Sequence, residues 1–200
     1  RDTDRSRGLG DVYKRQGLYE MDFPLLEEQA ADPDAKIMIL CSPHNPVGRV
    51  WTKEELARVG EICKKNNVLV IADEIHSDLV YAGYVHTPFA LASDAPHLVC
   101  TSLGKTFNVA GLRLANIFSS SAELKKQYDQ EIDAYSYSAS NTFGLEMVQA
   151  AYSPEGEAWL EELLVYLQGN VEVVSEWCQK HNVGFTAPQG TFLCWLDLAS

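Results

Sequence analysis

The chain has little basic charge and no long apolar run, and both features exclude classes of protein. Its 200 residues include 16 Lys and Arg against 28 Asp and Glu, which gives a formal net charge of −12. Nucleic acids and anionic membranes both bind basic surfaces, so neither is an expected partner. No apolar run approaches the roughly 20 residues that span a bilayer, and no charged-then-apolar leader indicates secretion.

Cysteine and histidine are sparse, and their spacing indicates neither a disulfide framework nor a metal site. The five cysteines include no C-x-x-C pair, and the five histidines show no metal-ligand spacing. Cys41, Cys63 and Cys100 lie in apolar runs, a position that favours small core side chains. Unpaired thiols are typical of a reducing compartment, so we expect a cytoplasmic protein that binds no metal.

The spacing of the apolar runs predicts an α/β fold. Hydrophobic residues make up 46% of the chain and charged residues 22%, as in ordinary globular proteins. Short apolar runs at 37–41, 68–72 and 98–101 predict buried strands of a sheet that is covered on both faces. A capping-box sequence at 52–55 begins a helix between the first two runs, which makes a right-handed βαβ unit. Later patterns predict strands at 114–118 and 191–198, and helices at 122–135, 141–152 and 157–180.

A polar residue follows closely on each of the three predicted strands. Asn45 lies in Ser42-Pro-His-Asn-Pro-Val-Gly48, Asp73 directly follows the second run, and Lys105 follows the third. Ligands of open α/β sheets bind outside the carboxyl ends of the strands. The sequence therefore predicts a site where an amide, a carboxylate and a lysine meet at one edge of the sheet.

Other interpretations of these residues remain open when each residue is taken alone. A phosphate-binding P-loop reads G-x-x-x-x-G-K-[ST], and Gly104-Lys-Thr106 matches only its end, because position 99 is Val99. Lys105 alone is consistent with a solvated surface lysine, and Asp73 and Asn45 are consistent with turn residues. The ordered set of all three favours a shared site over these separate explanations.

The ordered set resembles the pyridoxal-phosphate enzymes of the aspartate-aminotransferase fold, the class I and II aminotransferases. The closest match is their cystathionine β-lyase or C–S lyase branch. Three sequences carry that match: the run from Ser42 to Trp51, the His of Asp73-Glu-Ile-His76, and Lys105-Thr-Phe-Asn108. The resemblance implies fold type I, an α/β large domain with a mostly parallel sheet followed by the start of a smaller α/β domain.

The resemblance also implies a role for each site residue and the cofactor pyridoxal 5'-phosphate. Lys105 would bond covalently to the cofactor and then act as general base, Asp73 would face the pyridine nitrogen, and Asn45 would donate to the phenolate oxygen. His76 stands where many aminotransferases carry tyrosine. The implied phosphate ligands are Ser102 and Arg113. Gly104 departs from the serine that usually precedes the lysine in the family.

The implied reaction is α,β-elimination from an S-substituted cysteine such as cystathionine, which yields a thiol, pyruvate and ammonia. Transamination between an amino acid and a 2-oxo acid is the second possibility, and a non-catalytic regulator that keeps the fold is the third. The resemblance implies a small amino-acid substrate and a homodimer in the full-length form.

The sequences at the two ends of the chain indicate that its domains are incomplete. Residues 1–16 are half charged, show no hydrophobic period and resemble a translated sequencing adapter, so we set them aside as a leader. We expect residues 17–165 to form the cofactor-binding large domain, and residues 166–200 to form a bridging helix and the start of a small domain. Relatives are roughly twice as long, so we expect a central fragment with little or no activity of its own.

Overall fold

The computed structural model describes residues 12–15, 18–137 and 141–198; of residues 12–15 only the backbone is described. Its strands are β1 (Val12–Arg15), β2 (Leu18–Met21), β3 (Ile37–Cys41), β4 (Leu69–Asp73), β5 (His97–Thr101), β6 (Asn116–Ser119), β7 (Gly184–Phe185) and β8 (Leu196–Asp197). Its helices are α1 (Phe23–Ala30), α2 (Lys53–Lys65), α3 (Phe89–Ala92), α4 (Leu103–Thr106), α5 (Ala122–Ala134), α6 (Thr142–Ala151) and α7 (Pro154–His181). A short 3-10 helix covers Ala110–Leu112.

A four-stranded sheet in the order β3-β4-β5-β6 positions the predicted site. Strands β3, β4 and β5 are parallel, and β6 runs antiparallel to β5. The predicted α/β architecture with a mostly parallel sheet is therefore confirmed. The register aligns Cys41 with Asp73 and Asp73 with Cys100, so the three strands end side by side.

One face of the sheet is buried under α1, α2 and α3. Helix α2 begins with the predicted capping box, in which the Thr52 hydroxyl accepts from the Glu55 backbone N–H and the Glu55 carboxylate accepts from the Thr52 N–H. Its apolar side packs on alternate strand residues, as the 3.6-residue and two-residue periods require. This core contains Leu40, Leu56, Val59, Ile62, Cys63, Val70, Ala72, Phe89 and Val99.

The opposite face of the sheet carries Asp73, flanked by two cysteines. Cys41 and Cys100 are only partly buried and lie on either side of Asp73 in the register. The prediction that both are core residues is therefore wrong, whereas Cys63 does lie in the core. An apolar run does not say which face of the sheet a given residue occupies, because that depends on how the helices pack.

The segment after α7 differs from the predicted strand at 191–198. Within that range the described strand is Leu196–Asp197, which pairs antiparallel with Gly184–Phe185. Thr191 has a φ of 69°, a left-handed conformation that interrupts an extended strand. Its N–H donates instead to the Leu79 carbonyl at 2.7 Å, so this part of the segment pairs with the loop that follows His76.

Helix α7 is continuous from Pro154 to His181 and begins three residues before the predicted start at 157. The Ser153 hydroxyl caps it by accepting from the Gly156 N–H, and proline occupies its first position. The expected domain boundary between residues 165 and 166 falls inside this helix. Within the described ranges, no helix is both long and apolar enough to cross a membrane.

A short hairpin precedes the sheet and includes part of the segment that we set aside. Val12–Arg15 pairs antiparallel with Leu18–Met21. Backbone pairing of this kind needs no hydrophobic period, so the sequence of the hairpin does not reveal it. The rest of the set-aside leader, residues 1–11 and 16, lies outside the described residues. So do residues 138–140.

Candidate active site

Three loops meet at the carboxyl edge of the parallel strands. They cover residues 42–51 after β3, residues 74–81 after β4 and residues 102–115 after β5. Backbone hydrogen bonds tie each of the first two loops to the next strand: Ser42 N–H donates to the Asp73 carbonyl at 3.0 Å, and Glu74 N–H donates to the Cys100 carbonyl at 2.8 Å. The strand ends are therefore fixed relative to one another, as the sequence predicted.

His76 is the most buried of the predicted site residues, with 2% of its surface exposed. Neither of its ring nitrogens has a hydrogen-bond partner among the described residues. A buried imidazole that makes no hydrogen bond is costly, because its polar atoms have lost water without a replacement. Such a group fits a site in which a bound ligand supplies the missing partners.

Lys105 and Asp73 both act on His76 electrostatically. Burial lowers the pKa of the His76 imidazole, the positive charge of Lys105 lowers it further, and the negative charge of Asp73 opposes both. The imidazole is therefore neutral at pH 7, with one nitrogen able to donate and the other able to accept. This result brings three of the six predicted residues into one electrostatic environment.

Lys105 lies on the short helix α4, which is fixed from both sides. At its start the Ser102 hydroxyl oxygen accepts from the Gly104 N–H at 3.0 Å. At its end the Thr106 hydroxyl, on a residue with 1% of its surface exposed, donates to the Asp78 carboxylate at 2.9 Å. Lys105 itself is exposed. The helix thus presents the amine outward from a rigid support.

A pocket of about 290 Å³ lies beside α4, and Ser102, Lys105 and Arg113 line it. Arg113 has a φ of 49°, an unfavourable conformation for a residue with a side chain, which costs about 1–2 kcal/mol. The Ser102 hydroxyl donates to the Leu114 carbonyl at 2.7 Å, so in this arrangement its proton is committed. The two cationic side chains make an anionic group the favoured ligand.

Asn45, Asp73 and His76 do not line that pocket, although they lie at the same edge of the sheet. Asn45 is exposed in a turn, and its N–H donates to the Cys41 sulfur at 3.3 Å. His44 N–H to the Arg49 carbonyl (2.7 Å) and Gly48 N–H to the His44 carbonyl (2.8 Å) close this turn. The pocket around Lys105 is therefore the cationic part of the edge, and Asn45, Asp73 and His76 lie elsewhere along it.

Comparison with known proteins identifies the family. Residues 12–200 match the sequence profile described as aminotransferase class I and II. The chain belongs to this family. It is 35% identical to cystathionine β-lyase PatB of Bacillus subtilis over 194 residues, which cover 94% of this chain and 50% of PatB. It is 34% identical to the protein MalY of Escherichia coli over 183 residues, which cover 88% of this chain and 46% of MalY.

A solved structure of this aminotransferase family has the same fold. The pyridoxal-phosphate-bound C–S lyase of Staphylococcus hominis superposes with a TM-score of 0.87 at 35% identity, covering 94% of this chain and 48% of the lyase. The predicted fold type I is thereby confirmed. The chain spans about half the length of the curated relatives it matches.

Gly104, the residue before Lys105, lies where its neighbours leave little room for a side chain. A Cβ atom at position 104 would lie 3.1 Å from the Ser102 Oγ and 3.3 Å from the Ala110 Cα. Both contacts are tighter than ordinary van der Waals packing, so a serine here would displace one neighbour. Glycine therefore suits the close approach of α4 to the 3-10 helix that leads to Arg113.

The sequence did not indicate which side chains hold the Asn45 turn in place. Trp51 Nε1 donates to the Cys41 carbonyl at 2.9 Å, and Arg49 donates to the Glu55 carboxylate at 2.7 Å and to Gln189 Oε1 at 2.9 Å. The Arg49–Gln189 contact joins residues 140 positions apart. No local pattern in the sequence signals such a contact.

Because the Tyr81 hydroxyl is buried, we expect the protein to lose stability at alkaline pH. Its hydroxyl donates to the Thr191 carbonyl at 2.8 Å, and burial raises its pKa from 10.0 to about 12. A pKa raised by folding stabilises the folded state below pH 10, and this contribution is lost between pH 10 and about 12. We expect the free energy of unfolding to fall by about 2 kcal/mol over that range.

The measurement is urea unfolding from pH 9 to pH 12, for the original chain and for Tyr81→Phe. The phenylalanine variant keeps the ring but has no proton to lose, so its stability should fall less over this range. Cys63, whose burial raises its pKa to about 11, titrates in both proteins and serves as the common background. Equal losses of stability in both proteins would contradict the assignment to Tyr81.

Proposed function

We propose that the protein to which this chain belongs is a pyridoxal-phosphate-dependent C–S lyase. It would act on an S-substituted cysteine such as cystathionine and yield a thiol, pyruvate and ammonia with the uptake of water. The buried His76 imidazole beside Lys105 and Asp73 is the observation that carries the proposal. The similarity to PatB, named as a cystathionine β-lyase, supports the same reaction class.

The residues of the site fit pyridoxal 5'-phosphate. Its phosphate dianion suits the pocket lined by Lys105 and Arg113, and the Ser102 hydroxyl, which donates to the Leu114 carbonyl in this structure, would turn to donate to the phosphate. Arginine is well matched to phosphate, because its planar fork donates two parallel hydrogen bonds. When bound, the cofactor supplies an electron sink for a carbanion at the substrate Cα.

Asp73, Asn45 and His76 would orient the cofactor ring. Asp73 ends β4 at the centre of the sheet, where its carboxylate would hold the proton of the pyridine nitrogen. Asn45 would donate its amide N–H to the phenolate oxygen. The neutral His76 imidazole has a donor and an acceptor nitrogen, and both need partners that the described residues do not supply.

Lys105 would hold the cofactor covalently and, once the substrate amine has replaced it there, its free amine would take the proton from the substrate Cα. An exposed amine on a fixed helix is available for both tasks, because α4 is tied to Ser102 on one side and to Asp78 on the other. Arg113 lines the same pocket as Lys105.

Transamination is the second candidate, since the same residues would serve it. In that reaction the proton returns to the cofactor instead of a group leaving from the substrate Cβ. The match to the aminotransferase class I and II profile is consistent with this reaction. The presence of His76, where many aminotransferases have tyrosine, favours the lyase.

A direct assay separates the two reactions. We expect the full-length protein that carries this sequence to form pyruvate from cystathionine with no 2-oxo acid present. Strict dependence of turnover on a 2-oxo acid would instead assign the transaminase. Lactate dehydrogenase and NADH would follow pyruvate, and the same protein without pyridoxal phosphate would be the control.

We also propose the setting in which this activity operates. Residues 17–165 would belong to the cofactor-binding large domain, and residues 166–200 would bridge to a small domain. The full-length protein would be a cytoplasmic homodimer that takes a small amino-acid substrate. Unpaired cysteines and the net charge of −12 support this setting, since nucleic acid and anionic membrane are unsuitable partners.

A further inference from the structure

Residues 188–192, which follow α7, lie between two of the loops that form the site. These loops are the Asn45 turn (residues 42–51) and the His76 loop (residues 74–81). The five residues, which we call the clasp, are separated from both loops by more than a hundred positions in the sequence. Their hydrogen bonds nevertheless reach both loops.

Gln189 binds the Asn45 turn through its side chain and its backbone. Its Oε1 accepts from Arg49 Nη1 and from the Val50 N–H, both at 2.9 Å. Its own N–H donates to the Gly48 carbonyl at 2.8 Å. Gln189 has 8% of its surface exposed, so these groups are shielded from water and have no easy substitute.

The same five residues bind the His76 loop from the other side. The Tyr81 N–H donates to the Gln189 carbonyl at 3.0 Å, and the Thr191 N–H donates to the Leu79 carbonyl at 2.7 Å. The Tyr81 hydroxyl donates to the Thr191 carbonyl at 2.8 Å. An antiparallel bridge between Val80 and Gly190 completes the contact.

The packing leaves no room for side chains at two glycines. A Cβ on Gly48, whose φ is 71°, would lie 2.3 Å from the Pro188 Cβ. A Cβ on Gly190 would lie 2.6 Å from the Leu79 carbonyl oxygen. The clasp therefore contacts the backbone of both loops directly, and it cannot shift without moving them.

Phe192 extends the clasp to a proposed cofactor ligand. Its ring packs edge-on against His76 with centroids 5.3 Å apart, and the residue remains 43% exposed. One edge of the His76 ring is thus held by the clasp.

We propose that the clasp sets the position of Asn45 relative to His76, and that Gln189 is its positioning residue. This inference rests on the proposed function, since Asn45 and His76 are there assigned to the same cofactor. Gln189 touches neither the cofactor nor the substrate in this proposal. It acts through Arg49, Val50 and the backbone of Tyr81.

Hydrogen exchange on the chain without cofactor tests the clasp directly. Gln189→Leu keeps the size of the side chain and removes the acceptor of two buried donors. We expect amide exchange in residues 42–51 and in residues 75–81 to become faster together, by about tenfold, with no change in α2. Gln189→Glu keeps the acceptor and should exchange as the original chain does. Gln179→Leu, at an exposed position of α7, is the matched control.

Pyridoxal phosphate provides the second readout. Borohydride reduction traps the cofactor on lysine, and peptide mapping gives the fraction of Lys105 labelled at each cofactor concentration. Half-maximal labelling should need about tenfold more cofactor in Gln189→Leu, and Gln189→Glu should restore the original value. If Gln189→Leu unfolds, Gln189→Asn, which shortens the side chain by one methylene, carries the same expectations.

The two readouts separate the clasp from the proposed function. If Gln189→Leu speeds amide exchange in only one of the two loops, or to the same extent throughout the chain, the clasp proposal is overturned. This holds whatever the labelling shows. Unchanged cofactor dependence in Gln189→Leu overturns the positioning role of Gln189. Coupled exchange in both loops, together with no labelling of Lys105 in the full-length protein, keeps the clasp as a structural link and rejects the cofactor assignment.

Discussion

Replacing Lys105 with alanine is expected to abolish the borohydride-stable adduct with pyridoxal phosphate. The original chain should give one labelled peptide, centred on Lys105, because this amine lies in the cationic pocket with Arg113. In the full-length protein the same change should lower pyruvate formation from cystathionine by at least about 1,000-fold, since both the attachment and the general base are lost.

Lys126→Ala is the matched control for that experiment. Lys126 is an exposed residue of α5 and has no place in the proposed site. Its replacement should leave the labelled peptide and the turnover unchanged. Labelling spread over several lysines in the original chain, or turnover retained by Lys105→Ala, would contradict the proposed role of Lys105 and revive a non-catalytic interpretation.

Replacing Trp51 with alanine should cause the largest loss of stability among the changes considered. Trp51 has 1% of its surface exposed, and its indole N–H donates to the Cys41 carbonyl at 2.9 Å. The Arg49 guanidinium lies 4.8 Å from the centre of its ring. Removing a buried tryptophan costs about 3–5 kcal/mol, a large share of the 5–15 kcal/mol that stabilises a typical domain.

Urea unfolding followed by circular dichroism measures this loss, with Trp177→Ala as the comparison. Trp177 lies on α7 with 51% of its surface exposed, so its replacement should cost less than about 1 kcal/mol. Similar losses for the two tryptophans would show that Trp51 does not anchor the turn. Because Cys41 ends β3 just before the Asn45 turn, Trp51→Ala should also weaken cofactor labelling at Lys105.

Local patterns were sufficient for the elements around the site. The apolar run at 37–41 is strand β3, and the capping box at Thr52 and Glu55 begins α2 where predicted. Strand period, helix period and caps depend on neighbours within a few residues, so the sequence displays them directly. The order Asn45, Asp73, Lys105 at three strand ends then led to the correct family.

Side-chain environments at the site could not be predicted in the same way. Cys41 and Cys100 lie beside Asp73 and not in the core, because the packing of the helices decided which face of the sheet is buried. The Ser102 hydroxyl donates to Leu114, a contact that depends on the path of the chain after α4. The roles of the six site residues remain predictions, supported by their placement.

The amino-acid sequence by itself determined the α/β architecture, the parallel βαβ unit and the set of polar residues at the strand ends, since each follows from short-range periodicity and turn chemistry. Only the tertiary structure decided that His76 is buried with no hydrogen-bond partner among the residues the structure describes, and that Gln189 joins the Asn45 turn to the His76 loop. These features arise from contacts between segments far apart in the chain, such as the 140 positions between Arg49 and Gln189. Such contacts form only when the elements pack, and packing depends on the shape of the whole core and not on any local pattern.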